Sequence, residues 1–210
     1  MKERPILFSA PMVRAILAGT KTQTRRVVKG WPLEWLLPPI SFTPEYVADP
    51  ANAACPYGQP GGRLWVRETW MADPPITDDW PSTQFSGCKP RDHSLIPDRY
   101  RKPEHCLYRA DGRDDLHGWT PGIHMPRWSS RITLEVTGVR VERLQDISAS
   151  DAIAEGIPRG GPENPDGIEQ REYRQLWEQI NGPGSWDANP WVWVVEFKRA
   201  DAAAAADGRD

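Results

Sequence analysis

SRITLEVTGVRVERL, residues 130–144, is the stretch that separates a sheet protein from a helical one. Ile132, Leu134 and Val136 alternate with Thr133, Glu135 and Thr137, the period of two of a strand with one wet face. Gly138 predicts a bend or bulge before Val139 and Val141 resume the pattern. Downstream, SASDAIAEG (148–156) reads as a short helix, opened by a Ser148–Asp151 capping box and closed by Gly156. IEQREYRQLWEQING (168–182) is a second helix, with Tyr173, Leu176, Trp177 and Ile180 at i, i+3, i+4 and i+7. WVWVVEFKR (191–199) is a final strand.

Upstream, GGRLWVRETW (61–70) alternates again. Leu64, Val66, Glu68 and Trp70 share one face; Arg63, Trp65, Arg67 and Thr69 share the other. Glu68 is thereby set toward the interior, an awkward place for a carboxylate. HCLYRAD (105–111) offers a short strand. SAPMVRAILAG (9–19) is a compact helix, with Ser9 as N-cap, Pro11 in the first turn and Gly19 beyond its end. TRRVV then continues as a strand. Short helices interleave with strands without a βαβ rhythm, which favours an α+β class, and a small closed barrel with flanking helices is the expected architecture.

A chain of 210 residues is expected to form a single domain over 1–199, with insertions at about 30–60 and 71–127 and a disordered tail at 200–210. The insertions hold many of the 11 Trp and 22 Pro, a combination that suits ordered loops better than regular helix. No apolar run reaches the ~20 residues of a membrane span, and MKERPILF is no secretory signal, so a cytoplasmic setting is expected. Three cysteines (Cys55, Cys88 and Cys106) suit a reducing compartment and lack the spacing of a zinc site, so neither metal nor cofactor is expected. The net charge is −3, yet seven Lys or Arg stand against one acid in residues 1–30. A basic end on an acidic chain points to a small anionic or nucleotide-like ligand, with scattered surface charge as the alternative.

That basic end contains GTKTQTRR (19–26). A threonine hydroxyl needs a neighbouring base to act as a nucleophile, and an amine serves if burial or nearby cations lower its pKa. Thr24 and Lys21 are three apart, so a regular strand sets them on opposite sides, while a turn after Gly19 would let them converge. Arg25 and Arg26 supply the cations. Glu68 could orient the lysine but would also raise its pKa; equally, Arg63 or Arg131 could claim it. GIHMPRWSSR (122–131) adds His124 and Arg127 at a plausible pocket mouth, and Trp65 could stack on a base.

GTKTQTRR resembles the G-x-K-x-x-[TE]-x-R motif of the ASCH domain, matched by Gly19, Lys21, Thr24 and Arg26. RPILFSAPMVRAILAGTKTQTRRVV, CPYGQPGGRLWVRETW, IHMPRWSSRITLEVTGVRVERLQDISASDAIAEGI and NPWVWVVEFKR, in that order, are similar to phage and prophage ASCH proteins. The resemblance implies a PUA-like β-barrel. It also implies an amidohydrolase that removes the acetyl group from an N4-acetylcytidine-like nucleoside, with Lys21, Thr24 and Glu68 as the catalytic set and Arg26 and Arg25 among the substrate contacts. A non-catalytic RNA- or nucleotide-binding module, or a metal-independent ribonuclease, is the alternative within the same resemblance. The partner in each case is a small nucleoside or RNA, with no membrane and no obligatory protein.

Overall fold

A computed structural model describes residues 3–87, 92–113, 115–160 and 167–200. The expected tail at 200–210 and Cys88 lie outside or almost wholly outside these residues. In chain order the regular elements are β1 (Glu3–Leu7), α1 (Ala10–Leu17), β2 (Gln23–Val27), α2 (Trp31–Trp35) and α3 (Pro44–Ala48). Then come β3 (Arg63–Arg67), β4 (Trp70–Ala72), α4 (Ser82–Gly87), β5 (Cys106–Tyr108), β6 (Thr133–Arg143), α5 (Ala149–Ala154), α6 (Ile168–Asn181) and β7 (Trp191–Arg199). The class is α+β. No helix among the described residues is long and apolar enough to cross a membrane.

Five strands hydrogen-bond in the order β1-β3-β6-β7-β2, and β4 pairs with β5 in a separate ribbon. The expected closed barrel is therefore corrected to an open strand order that ends at β1 and β2. One physical reason lies at β2. Just before the strand, Lys21 makes an isolated antiparallel bridge with Glu155, and the Thr22 amide donates to the Ala154 carbonyl at 2.8 Å, so the turn after α5, and not a strand, prolongs the pairing on the β7 side. Alternation in the sequence sets which face of a strand is buried and leaves its edge partners unspecified.

The chain divides into two compact units: Met1–Arg4, Ala15–Leu64 and Leu134–Asp210 in the first, Pro5–Arg14 and Trp65–Thr133 in the second. In the first, β7 lies between β2 and β6, both antiparallel to it. The β6 register shifts between Val136 and Gly138, leaving Thr137 as the extra residue of the bulge that the glycine foretold. Leu144, Ile147, Ala152, Tyr173, Trp177, Val192 and Val194 form its core, where α5 and α6 cover one face of the sheet. Burying a large apolar side chain there is worth about 1.5–3 kcal/mol. Ser148 caps α5 through the Asp151 amide, and the Asp151 carboxylate returns the bond, as the spacing predicted. Ile180 departs from expectation: it is half exposed, because the final turn of α6 runs past the core that Tyr173 and Trp177 fill.

The second unit is built on rings. Trp70, Trp80, Phe85 and Tyr108 pack with Ile96, Cys106 and Met125, and Tyr100 and Trp128 flank them. The described part of 71–127, expected as an irregular segment with a short strand at 105–111, contributes Trp80, Phe85, Ile96, Tyr100, Cys106, Tyr108 and Met125 through α4, short 3-10 turns and the β4–β5 ribbon, whose β5 is the expected strand.

Candidate functional site

GTKTQTRR leaves α1 at Gly19, whose φ of 76° places it in the left-handed region that ends helices. The Thr20 and Lys21 amides both return to the Ala15 carbonyl, at 2.9 and 3.1 Å. By Lys21 the chain is already extended, bridged to Glu155, and the Phe197 amide donates to the Thr22 carbonyl. No turn remains to swing Lys21 toward Thr24. Alternation instead gathers Lys21, Gln23 and Arg25 on one side of the strand and Thr22, Thr24 and Arg26 on the other.

The first side is a buried charge network. Lys21 Nζ donates to Glu155 Oε2 and to the Glu155 carbonyl oxygen, both at 2.7 Å, and the lysine side chain is inaccessible to solvent. Arg25, equally buried, donates through Nη1 to Glu155 Oε1 at 3.2 Å and through Nε to Glu142 Oε1 at 3.0 Å. Its Nη2 lies 2.5 Å from Glu142 Oε1 and 3.4 Å from Asp151 Oδ2. Gln23 Nε2 donates to both the carbonyl and the carboxylate of Asp151, each at 3.0 Å. Arg140 joins Glu142 and Asp151 from β6 and also pairs with Glu196. Sequence reasoning missed Glu155. It stands as the C-cap of α5, where a carboxylate opposes the helix dipole, and that mismatch is the local sign of a cationic partner elsewhere in the chain.

Burial lowers the Lys21 pKa and outweighs Glu155, which raises it; Arg26 and Arg25 lower it further. Burial thus prevails over the carboxylate that pairs with Lys21, which is Glu155 and not the Glu68 weighed from the sequence. Burial also pushes the Asp151 carboxyl up, but hydrogen bonds from Ser148 and Gln23, with Arg25 nearby, outweigh it and hold the group at about 2. The Tyr173 hydroxyl, packed in the core with Arg25 5.9 Å from its ring centre, is raised by burial and by Glu155. Gly156 completes the lysine's surroundings. Its φ is 95°, and a Cβ there would sit 3.1 Å from Ala15 Cβ and 3.3 Å from Lys21 Cβ, so the backbone turn and the close approach both demand glycine.

On the second side, Thr24 is buried opposite Val195 of β7, and Arg26 is half-buried. Arg26 lowers the Tyr57 pKa, which burial raises more strongly.

Glu68 is buried, as the alternation of β3 required. Of the two arginines weighed for it, the structure selects Arg131: Nε and Nη2 donate to Oε1 and Oε2 at 3.0 and 3.2 Å. Arg131 also pairs with Asp111 at 2.8 Å and lies 3.9 Å above the Tyr108 ring centre. Burial raises the Glu68 pKa against the pull of Arg131. In the same unit Trp65 meets two guanidinium groups, with Arg67 Cζ 5.3 Å and Arg127 Cζ 6.0 Å from its ring centre. Arg67 donates to the Ile123 carbonyl, beside exposed His124. The candidates therefore fall into two groups: Lys21, Thr24, Arg25 and Arg26 in the first unit, Trp65, Glu68, His124 and Arg127 in the second. Among the described residues no cluster of His, Cys, Asp and Glu could hold a metal ion.

No protein-family model, no curated protein and no solved structure matches the chain.

Proposed function

We propose that the chain is an ASCH-type, PUA-like amide hydrolase acting on a small acylated nucleoside of the N4-acetylcytidine kind. The observation that carries this reading is the buried Lys21–Glu155 pair, with the lysine pKa lowered, inside the G-x-K-x-x-T-x-R motif. A neutral amine is a base, and a carboxylate at 2.7 Å can hold and return the proton it collects. In place of Glu68, which is engaged by Arg131, we assign the glutamate of the working set to Glu155.

The reaction adds water across the amide. Lys21 Nζ takes a proton from the attacking oxygen, that oxygen bonds to the acetyl carbon, and the carbon–nitrogen bond breaks. The proton passes to the departing N4, leaving acetate and cytidine. Because Thr24 lies across β2 from Lys21, we assign the attacking oxygen to water and give Thr24 no part in the bond changes.

The test is release of cytidine from N4-acetylcytidine, followed by chromatography, for wild type, Lys21→Ala, Glu155→Gln and Thr24→Ala. Turnover abolished in the first two and retained in the third supports the assignment. A trapped acetyl group on Thr24, detected by mass, would move the nucleophile from water to threonine. Absence of turnover in the folded wild type overturns the reading.

The Trp65 cluster favours a second reading, a binding module for RNA. An aromatic face flanked by Arg67 and Arg127 suits a stacked base and its phosphate. Affinity for an unstructured RNA that falls with salt and with Trp65→Ala, but not with Lys21→Ala, identifies it.

A further inference from the structure

Glu155 divides its two oxygens between two buried cations. Oε2 and the main-chain carbonyl face Lys21 Nζ, whereas Oε1 faces Arg25 Nη1. Arg25 does not belong to Glu155 alone: its other nitrogens reach Glu142 and Asp151, and both side chains of the Lys21–Arg25 pair are shut off from solvent. A fully ionised carboxylate given wholly to an ammonium at this depth would bind it as a closed ion pair, and a closed pair is a poor proton acceptor. Two features oppose that closure. Arg25 draws on the same carboxylate from its far side, and its own positive charge lies beside the lysine.

We propose that Arg25 is a positioning residue that shares the charge of Glu155 and so keeps the Lys21 amine available as a base. The inference rests on the hydrolase reading for its purpose, but the charge sharing stands on geometry alone. It also assigns a role to Glu142. That carboxylate competes with Glu155 for the guanidinium, at 3.0 Å from Nε against 3.2 Å from Nη1, and thereby sets how far Arg25 leans toward the lysine's partner. Glu142 is held in turn by Arg140, which also ties Asp151 and Glu196 into the network.

The charged and titratable groups bearing on Lys21 and its partners come from every neighbouring element. β2 supplies Arg25 and Arg26, α5 and its C-cap supply Asp151 and Glu155, and β6 supplies Arg140 and Glu142. α6 supplies Tyr173, whose hydroxyl stays neutral because burial raises its pKa. Removing Arg25 deletes a positive charge beside Lys21 and returns all of Glu155 to it. Both changes favour the ammonium. Removing the Glu142 charge frees Arg25 to pair more closely with Glu155, which favours the amine.

The experiment is a pH titration of the Lys21 side chain by NMR on protein labelled with 13C at lysine Cε, assigned through Lys21→Met. Arg25→Gln is expected to raise the Lys21 midpoint by about one unit or more, Arg25→Lys to raise it less, and Glu142→Gln to lower it. A midpoint that stays in place, or moves the other way, in a folded Arg25→Gln or Glu142→Gln protein overturns the proposal. If Arg25→Gln fails to fold, Glu142→Gln carries the decision alone. The same variants are assayed on N4-acetylcytidine. The rising limb of the pH–rate profile is expected to follow the NMR midpoint. Shifted midpoints without any wild-type turnover sustain the charge sharing and overturn the hydrolase, whereas turnover with unshifted midpoints does the reverse.

Discussion

Glu155 holds Lys21 by two handles at once, its carboxylate and its own peptide carbonyl, each 2.7 Å from the ammonium nitrogen. One handle depends on charge; the other depends on the path of the main chain. The pair is therefore built into the turn that ends α5, and chemistry and local fold at this point are the same object.

Glu155→Gln keeps the shape but removes the charge. Breaking a buried ion pair from one side costs about 3–5 kcal/mol, offset here to the extent that Lys21 gives up its proton. The expected result is a lower urea midpoint with an unchanged slope, and a smaller loss at high pH, where the lysine is neutral in both states.

Gly156→Ala tests the backbone beneath that pair. The left-handed φ of 95° and the 3.1 Å approach to Ala15 Cβ act together, so a loss of about 1–3 kcal/mol is expected in chemical denaturation. Because the new methyl also meets Lys21 Cβ at 3.3 Å, the Lys21 NMR midpoint should shift in the same sample.

Asp151 gives a pH dependence whose sign follows from its environment. Its carboxyl is held at about 2 in the folded chain against an ordinary value of 3.8, so the native state binds fewer protons there than the unfolded one. The stabilisation is complete above the unfolded value and is lost as the pH falls through the folded one. Urea midpoints measured downward from pH 5 should therefore decline more steeply in wild type than in Asp151→Asn.

Arg131→Met leaves Glu68 buried without the guanidinium, and a destabilisation of about 3–5 kcal/mol is expected. Glu68→Leu combined with Arg131→Met removes both charges, and most of that stability should return. If the double variant is as unstable as the single, the loss comes from the stacking of Arg131 on Tyr108, at 3.9 Å.

Trp177 buries its indole N–H without a hydrogen-bond partner among the described residues. Trp177→Phe gives up apolar contact but also removes an unsatisfied donor, so a change of less than about 1.5 kcal/mol is expected by thermal unfolding.

The parts of the fold that obey local rules were legible. The period of two put Glu68 inside, a glycine marked the β6 bulge, and the Ser148–Asp151 spacing announced its capping box. Each is decided within a few residues. The partner of Lys21 was not, because 134 residues separate it from Glu155 and the contact exists only once α5 lies against the edge of β2. Strand order failed for the same reason: alternation says which face is buried and nothing of which edge finds which neighbour. Glu68 illustrates the boundary between the two. Its depth was readable, whereas the choice of Arg131 over Arg63 depended on how distant segments meet.

The strand that carries Arg25 is also one end of the sheet. Gln23–Val27 lies at the end of the strand order, and such an edge is a template on which another chain can add a strand. A buried charge on an edge strand is one of the features that discourage such addition, and Arg25 is that charge here. Replacing Arg25 by an apolar residue would remove it, so a changed Lys21 environment and the onset of self-assembly should appear together, as light scattering rising in Arg25→Leu above that of the wild type.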